Sequence, residues 1–360
     1  MVVYYLTSGL RKDGHKVYVV TTETEKEKNN EFDNHQDTLR FPINFKIYNT
    51  PISVRAFSAI NSIAEDVDII HSHGYPVYFS DISTYVGLRK KVPLVLHWVV
   101  DPRQAVISEQ SNVARVMNDA YFRVFGNKVF EASTVIIVPS QNYEDYLVEK
   151  GVDAHKISVL PCGVDTSVFN PDAPIIDVDD YENTILFVGR VSDQKGFDVL
   201  LRAFPDVLMR HPKTQLVVIG LPDQKYFWGE IEKDVERVRE NIKFLGNISR
   251  ELIARWYATA DVLAFPSRFE SFGIVAIEAM SCATPVVGTD VGAIGGLIEK
   301  GGLLIKKEDR VGLANALNTL LSNKDLAKKL GRNAAELVSK EYSWGSIVKK
   351  LERIYRDILD

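Results

Sequence analysis

Short apolar runs, each long enough to cross a β-sheet once, alternate with helical patterns along almost the whole of this 360-residue chain. In the first half the runs are 17–21, 68–71, 94–97, 134–138 and 157–160; in the second they are 184–188, 215–219, 242–245, 262–265, 285–288 and 303–305. Helical spacing of apolar residues fills most of the gaps, as at 251–258 and 311–321. Strands that are apolar throughout are buried on both faces, and strands separated by helices pair in parallel. The expectation is therefore an α/β protein of two doubly wound units, since 360 residues exceed what one core usually holds. The boundary is expected in the acidic, proline-punctuated stretch 170–183, giving a first domain of residues 1–170 and a second of 171–343.

Composition narrows the function classes. A net charge of −5 argues against a general nucleic-acid binder, although a local basic cleft remains compatible with it. The two cysteines, Cys162 and Cys282, build no disulfide framework, which fits a reducing cytoplasm. No apolar run approaches 18 residues and no signal peptide is visible.

Two loops carry the chemistry. In residues 265–290, Glu270 and Glu278 flank a Ser271-Phe272-Gly273 turn that opens a helix expected over 273–280, with Ser271 as its N-cap. A helix N-terminus concentrates unpaired N–H groups and positive dipole, so the turn suits an anion carrying hydroxyls. The bland alternative is an N-capped core helix with two solvated glutamates. Upstream, the strand 184–188 runs into Gly189-Arg190-Val191-Ser192-Asp193-Gln194-Lys195-Gly196. A guanidinium fork and an ammonium point charge held between two glycines form a plausible cradle for adjacent phosphates. Ligands in open α/β sheets bind beyond the carboxyl ends of strands, and both loops stand there. So do His71, His73, His97 and Ser140 in the first half.

The combination resembles the retaining GT-B glycosyltransferases of family 4. The resemblance rests on the GR-x4-KG loop at 189–196, on PSRFESFGIVAIEA at 266–279 and on TPVVGTDVGA at 284–293. It extends to LPCGVD at 160–165 with Phe169, and to Tyr342-Ser343-Trp344. It implies two Rossmann-like domains facing across a cleft, with a closing helix 344–360 that returns to the first. It implies a hexosyltransferase that moves sugar from a nucleotide diphosphate to a glycan or lipid-linked hydroxyl. Configuration is retained, and Arg190 and Lys195 neutralise the diphosphate in place of a metal. By the same resemblance the amides of Phe272, Gly273, Ile274 and Val275 bind phosphate or sugar, and Glu278 takes the ribose hydroxyls. Gly189 shapes the basic loop, Glu270 stands beside the donor sugar, and His97 faces that sugar from the first domain. For His97 a satisfied core histidine is the alternative, and for His71 and His73 simple pocket lining. Ser140, Asp165 and Leu245 complete the candidate set.

No cofactor is expected. Asp66-Val67-Asp68 and Asp177-Val178-Asp179-Asp180 resemble metal-binding DxD sequences but precede a strand or fall in the linker, and read as solvated charge. Residues 115–130 mix Arg115, Arg123 and Lys128 with Tyr121, Phe122 and Phe125, and Arg89-Lys90-Lys91 is near in sequence. They offer either a peripheral membrane contact or an amphipathic helix on its own core. Three departures from the family pattern stand out. Cys162 replaces a customary asparagine, and the turn after Gly220 lacks a second glycine. The chain also starts inside a helix, where the family has a strand and a Gly-rich loop of roughly 15 residues. The expectation is that upstream codons supply them; without them the first sheet lacks its central strand. A nucleotide-sugar epimerase or phosphorylase of the same fold, or a nucleotide- or carbohydrate-binding protein without turnover, are the competing functions.

Overall fold

The structure is a computed structural model and describes residues 1–23, 38–47, 50–74, 78–98, 127–178, 180–223 and 231–360. The chain divides into two compact units, Met1–Pro161 with Ile347–Asp360, and Cys162–Ser346. Residues 162–170, assigned from the sequence to the first unit, lie in the second. Ser281 Oγ donates to Phe169 O (2.6 Å), Phe169 stacks edge-on against Tyr257, and Val164 bridges to Ser343.

In the first unit, helix α1 (Val2–Lys12) is followed by strand β1 (Val19–Thr22), which pairs in parallel with β2 (Thr38–Phe41). A short antiparallel pair, β3 (Phe45–Ile47) and β4 (Thr50–Ile52), precedes α2 (Val54–Ile63). Four parallel strands then line up in chain order. They are β5 (Ile70–His73), β6 (Leu94–His97), β7 (Val135–Val138) and β8 (Ile157–Val159), with α3 (Tyr78–Lys90) between the first two. Helices α4 (Asn127–Ala132) and α5 (Gln141–Glu149) flank β7. Leu96, Trp98, Ile136, Val138 and Leu147 form one core cluster here. The closing helix Trp344–Leu359 crosses the division between the units, and from Ile347 onward it belongs to the first. A Cβ on Gly9 would stand 2.4 Å from Val348, which shows how closely α1 lies on that helix.

The second unit is a six-stranded parallel sheet. Its strands are β9 (Asn183–Val188), β10 (Thr214–Ile219), β11 (Ile242–Gly246), β12 (Val262–Phe265), β13 (Val286–Thr289) and β14 (Gly302–Ile305). Their spatial order is β11-β10-β9-β12-β13-β14. Every residue of β10 and β12 is buried, as a central strand covered on both faces requires. The covering helices are α6 (Phe197–Leu208), α7 (Glu232–Glu236), α8 (Arg250–Thr259), α9 (Ile274–Ser281), α10 (Gly295–Gly301), α11 (Arg310–Ser322) and α12 (Lys324–Glu341). On α6, Phe197, Leu200, Leu201, Phe204 and Val207 recur at helical spacing and enter the core with Leu313 and Leu317 of α11.

Strand order positions the site. Successive strands run outward from β9 to β11, and the chain then returns to the other side of β9 to lay down β12. The order reverses between β9 and β12, which makes that gap the topological switch point of the sheet, where α/β folds bind their ligands. The Gly189–Gly196 loop leaves β9 and the 266–273 loop leaves β12, so both sequence motifs open at this one place.

Candidate active site

The two loops touch. Gly196 adopts φ +63°, and a Cβ there would stand 2.0 Å from Pro266 O, so only glycine allows the approach. Arg268 N donates to Gln194 O at 2.9 Å. The Arg268 guanidinium forks onto Asp198 (2.7 and 2.9 Å), reaches Glu308 and donates to Asp193 O at 2.6 Å. One arginine thus holds three segments together through the bidentate geometry that guanidinium favours.

Within this frame Lys195 Nζ donates to Glu270 Oε1 at 2.6 Å, and Ser267 Oγ donates to the same oxygen at 3.0 Å. The loop beneath is fixed by Thr289 Oγ1, which donates to Ser267 O at 2.5 Å. Glu270 is 9% exposed and Lys195 half-buried. Arg190, the other basic candidate, is exposed beside Gly189.

Helix α9 begins one residue later than expected, and Ser271 is not its N-cap. Gly273 holds that position at φ 100°, ψ 47°, where a side chain would collide with Ile294. The reason is backbone conformation: the turn needs a left-handed residue immediately before the helix, which serine adopts poorly. Gly273 O accepts from Ala276 N and Ile277 N, so Ile274 and Val275 carry the first-turn N–H groups that precede the intrahelical ladder. The Phe272 ring is buried near Tyr342, with centroids 6.2 Å apart.

Glu278 lies in the second turn of α9, where Tyr257 OH donates to its Oε2 at 3.3 Å. Burial pushes its carboxyl up to about 7, against the opposing pull of Arg250 and the Tyr257 hydrogen bond. Arg250 also stands 3.9 Å from Asp165 and 5.3 Å from the Phe169 ring centroid. Asp165 itself caps a turn, accepting from Ser167 N and Oγ. Leu245 lies near the end of the edge strand β11, and Cys162 is buried with its thiol pushed up to about 12 by desolvation.

Sequence reasoning placed Ser267 and Arg268 only at a strand end and did not single out Arg250, Tyr257 or Thr289. Arg268 stood inside a quoted motif, yet its partners Asp198 and Glu308 are 70 and 40 residues away, and no local pattern joins them.

The first unit collects the other candidates. His71 and His73 point to one face of β5, and His73 pairs in register with His97 at the end of β6. The three rings lie 4.4 to 5.3 Å apart between centroids. Burial holds all three well below the usual histidine range. Neighbouring histidine charge adds to this at His71 and His97, while at His73, at about 4, the N-terminal amino group adds to it. Tyr355 OH stands 2.5 Å from His71 Nδ1. Ser140 is at the N-cap position of α5, but its buried Oγ makes no hydrogen bond.

Asp66, Asp68, Asp177 and Asp180 are exposed, and Asp179 lies outside the described residues. So do residues 115–126 of the basic-aromatic stretch and 224–230 of the turn after Gly220. Arg89 and Lys90 end α3, where Lys90 pairs with Glu65. Among the described residues no helix is long and apolar enough to cross a membrane.

Comparison with known proteins bears on both halves of the chain. The model of Glycosyltransferase Family 4 matches residues 1–168, and that of Glycosyl transferases group 1 matches 170–337. An uncharacterized glycosyltransferase of Methanocaldococcus jannaschii is 26% identical over 366 residues, covering 98% of this chain and 92% of the relative. The D-inositol 3-phosphate glycosyltransferase of Corynebacterium jeikeium is 31% identical over 311 residues, covering 81% and 72%. Among solved structures, Anabaena HepE in complex with UDP-glucose superposes with a TM-score of 0.71 at 19% identity, covering 99% of this chain and 95% of that one. Parallel sheets in two units agree with the two-domain GT-B fold. With both halves matched in order, the chain belongs to glycosyltransferase family 4, the glycosyl transferases group 1, and is a transferase of sugars.

Proposed function

We propose that the chain transfers a hexose, with retained configuration, from a nucleotide diphosphate sugar to a hydroxyl of a glycan or lipid-linked acceptor. The observation that carries this reading is the Lys195–Glu270 pair at the switch point, beside the first-turn amides of α9. A cation and a row of N–H groups suit a diphosphate, and a carboxylate at the same point suits sugar hydroxyls. HepE, of like fold, was solved with UDP-glucose, which favours the same donor class here.

Roles follow from position. Lys195 and Arg190 balance diphosphate charge without calling on a cation, and the Ile274 and Val275 amides add donors. Binding of the diphosphate draws Lys195 from its bond with Glu270, so the carboxylate becomes available to sugar hydroxyls and to positive charge growing at the anomeric carbon. Glu278 accepts from the ribose hydroxyls, its ionised form being the better acceptor. His97 is the residue that family resemblance assigns to the sugar. In the transfer step the bond from the anomeric carbon to the diphosphate oxygen breaks, with its electron pair leaving on the phosphate. The acceptor oxygen bonds to the same face of that carbon, and its proton passes to the departing phosphate. Stabilisation of the leaving charge by preorganised donors is the main contribution of the protein.

The test is a panel of UDP-, GDP- and ADP-hexoses against glycan, lipid-linked and inositol phosphate acceptors. Acceptor-dependent nucleotide release, with the product anomer matching the donor by NMR, is expected. An inverted product would remove the retaining mechanism. Conversion of donor into another nucleotide sugar would favour an epimerase instead.

A further inference from the structure

We propose that His71, His73 and His97 form a binding site for one divalent cation of the zinc type, with Tyr355 as the group that orients His71. Their ligating atoms all lie within 4.8 Å of one another, the one such cluster of potential metal ligands among the described residues. Each ring also presents one buried nitrogen without a hydrogen-bond partner: His71 Nε2, His73 Nδ1 and His97 Nδ1. Buried polar atoms are rarely left unpaired, and three in one cluster, one from each ring, is the arrangement that a shared ligand would satisfy.

Backbone geometry brings the rings together. Residues two apart on a strand share a face, which places His71 with His73, and the parallel register sets His97 beside His73. Tyr355, on the closing helix, engages His71 Nδ1, so the unpartnered nitrogen of that ring is Nε2. A partner on the far nitrogen is the usual means by which a ligating histidine is fixed in tautomer and direction. Three imidazoles with a fourth position open suit zinc, cobalt or nickel, whereas magnesium and calcium prefer oxygen.

The rings now lie near parallel, with interplanar angles of 14° to 35°. Zinc–nitrogen bonds of about 2.0–2.1 Å need nitrogens about 3.4 Å apart, so binding turns the imidazoles inward about χ2, a soft torsion. The three histidines and Tyr355 all belong to the first unit.

The test uses the full chain, untagged and stripped with chelator, titrated with Co2+ and then Zn2+. One equivalent of cobalt is expected to give the intense visible bands of tetrahedral coordination, which zinc removes. His73→Ala and His97→Ala should weaken binding by more than the roughly 100-fold upper range of second-shell losses, and Tyr355→Phe by about 10–100-fold. His155→Ala, on an exposed turn, should change nothing. Since a ring deletion in a buried cluster can unfold the chain, imidazole NMR of the unmodified protein supplies a second reading. Zinc should move three of the seven histidine spin systems at one equivalent. Unchanged affinity in folded His73→Ala and His97→Ala, or zinc shifts confined to the other four histidines, would overturn the proposal.

Discussion

Replacing Gly196 by alanine perturbs the point where the loops that leave β9 and β12 meet. The residue sits at φ +63°, ψ 29°, where an L side chain costs about 1–2 kcal/mol. The new methyl would also stand 2.0 Å from Pro266 O, against the roughly 3.3 Å that carbon and oxygen require. One loop must therefore retreat by at least about 1 Å, at an overpacking cost of about 1–3 kcal/mol. A total near 3 kcal/mol, in a unit that runs from Cys162 to Ser346, lowers Tm by roughly 6–12 °C. A displacement of about 1 Å at a reacting centre costs on the order of 100-fold in rate, so kcat/KM should fall by that factor. Differential scanning calorimetry and initial-rate kinetics read the two effects. Gly296→Ala is the matched control, because a Cβ there meets nothing within 4 Å and Gly296 has no positive φ. If Gly196→Ala kept both the Tm and the activity of the parent, the close apposition of the loops would not be what builds the site.

Arg268→Ala leaves the buried Asp198 carboxylate without its fork, and should destabilise by about 3 kcal/mol, visible as an earlier denaturant midpoint. Glu278 makes stability pH-dependent. Its folded pKa, about 7, stands above the reference 4.5, so the protonated carboxyl favours the folded state below pH 4.5. That contribution, about 3 kcal/mol at most, is lost as pH rises through about 7. Urea titrations from pH 4 to 8 should show the decline in the parent and a flatter profile in Glu278→Gln. Nucleotide affinity should move the opposite way, rising through about pH 7 as the carboxylate ionises, and should lose that rise in the same variant.

The sequence disclosed the buried strands best. Leu94–His97 and Val262–Phe265 occupy the expected positions, because a strand covered on both faces is apolar throughout. The short strands Thr38–Phe41 and Phe45–Ile47 escaped, since Arg40 and Lys46 interrupt them and leave no apolar run. Strand order is a matter of pairing at long range, so motif loops could be put at strand ends but not at a switch point. At the site, residue types were legible and conformations less so. Ser271 fits the statistics of an N-cap, yet the turn needs the left-handed conformation that Gly273 supplies. The alternation at His71 and His73 could be read from their spacing, but their meeting with His97 depends on the register of β5 against β6.

The central claim is that the Lys195–Glu270 pair at the N-terminus of α9 receives the diphosphate of a nucleotide sugar. Isothermal titration of UDP, GDP and ADP into the parent and into Lys195→Ala, with fold checked by circular dichroism, tests it most directly. One nucleotide should bind the parent at one equivalent, and Lys195→Ala should lose about 10-fold or more of that affinity, the worth of a charge-assisted hydrogen bond. Equal affinity in the parent and in a folded Lys195→Ala would contradict the account.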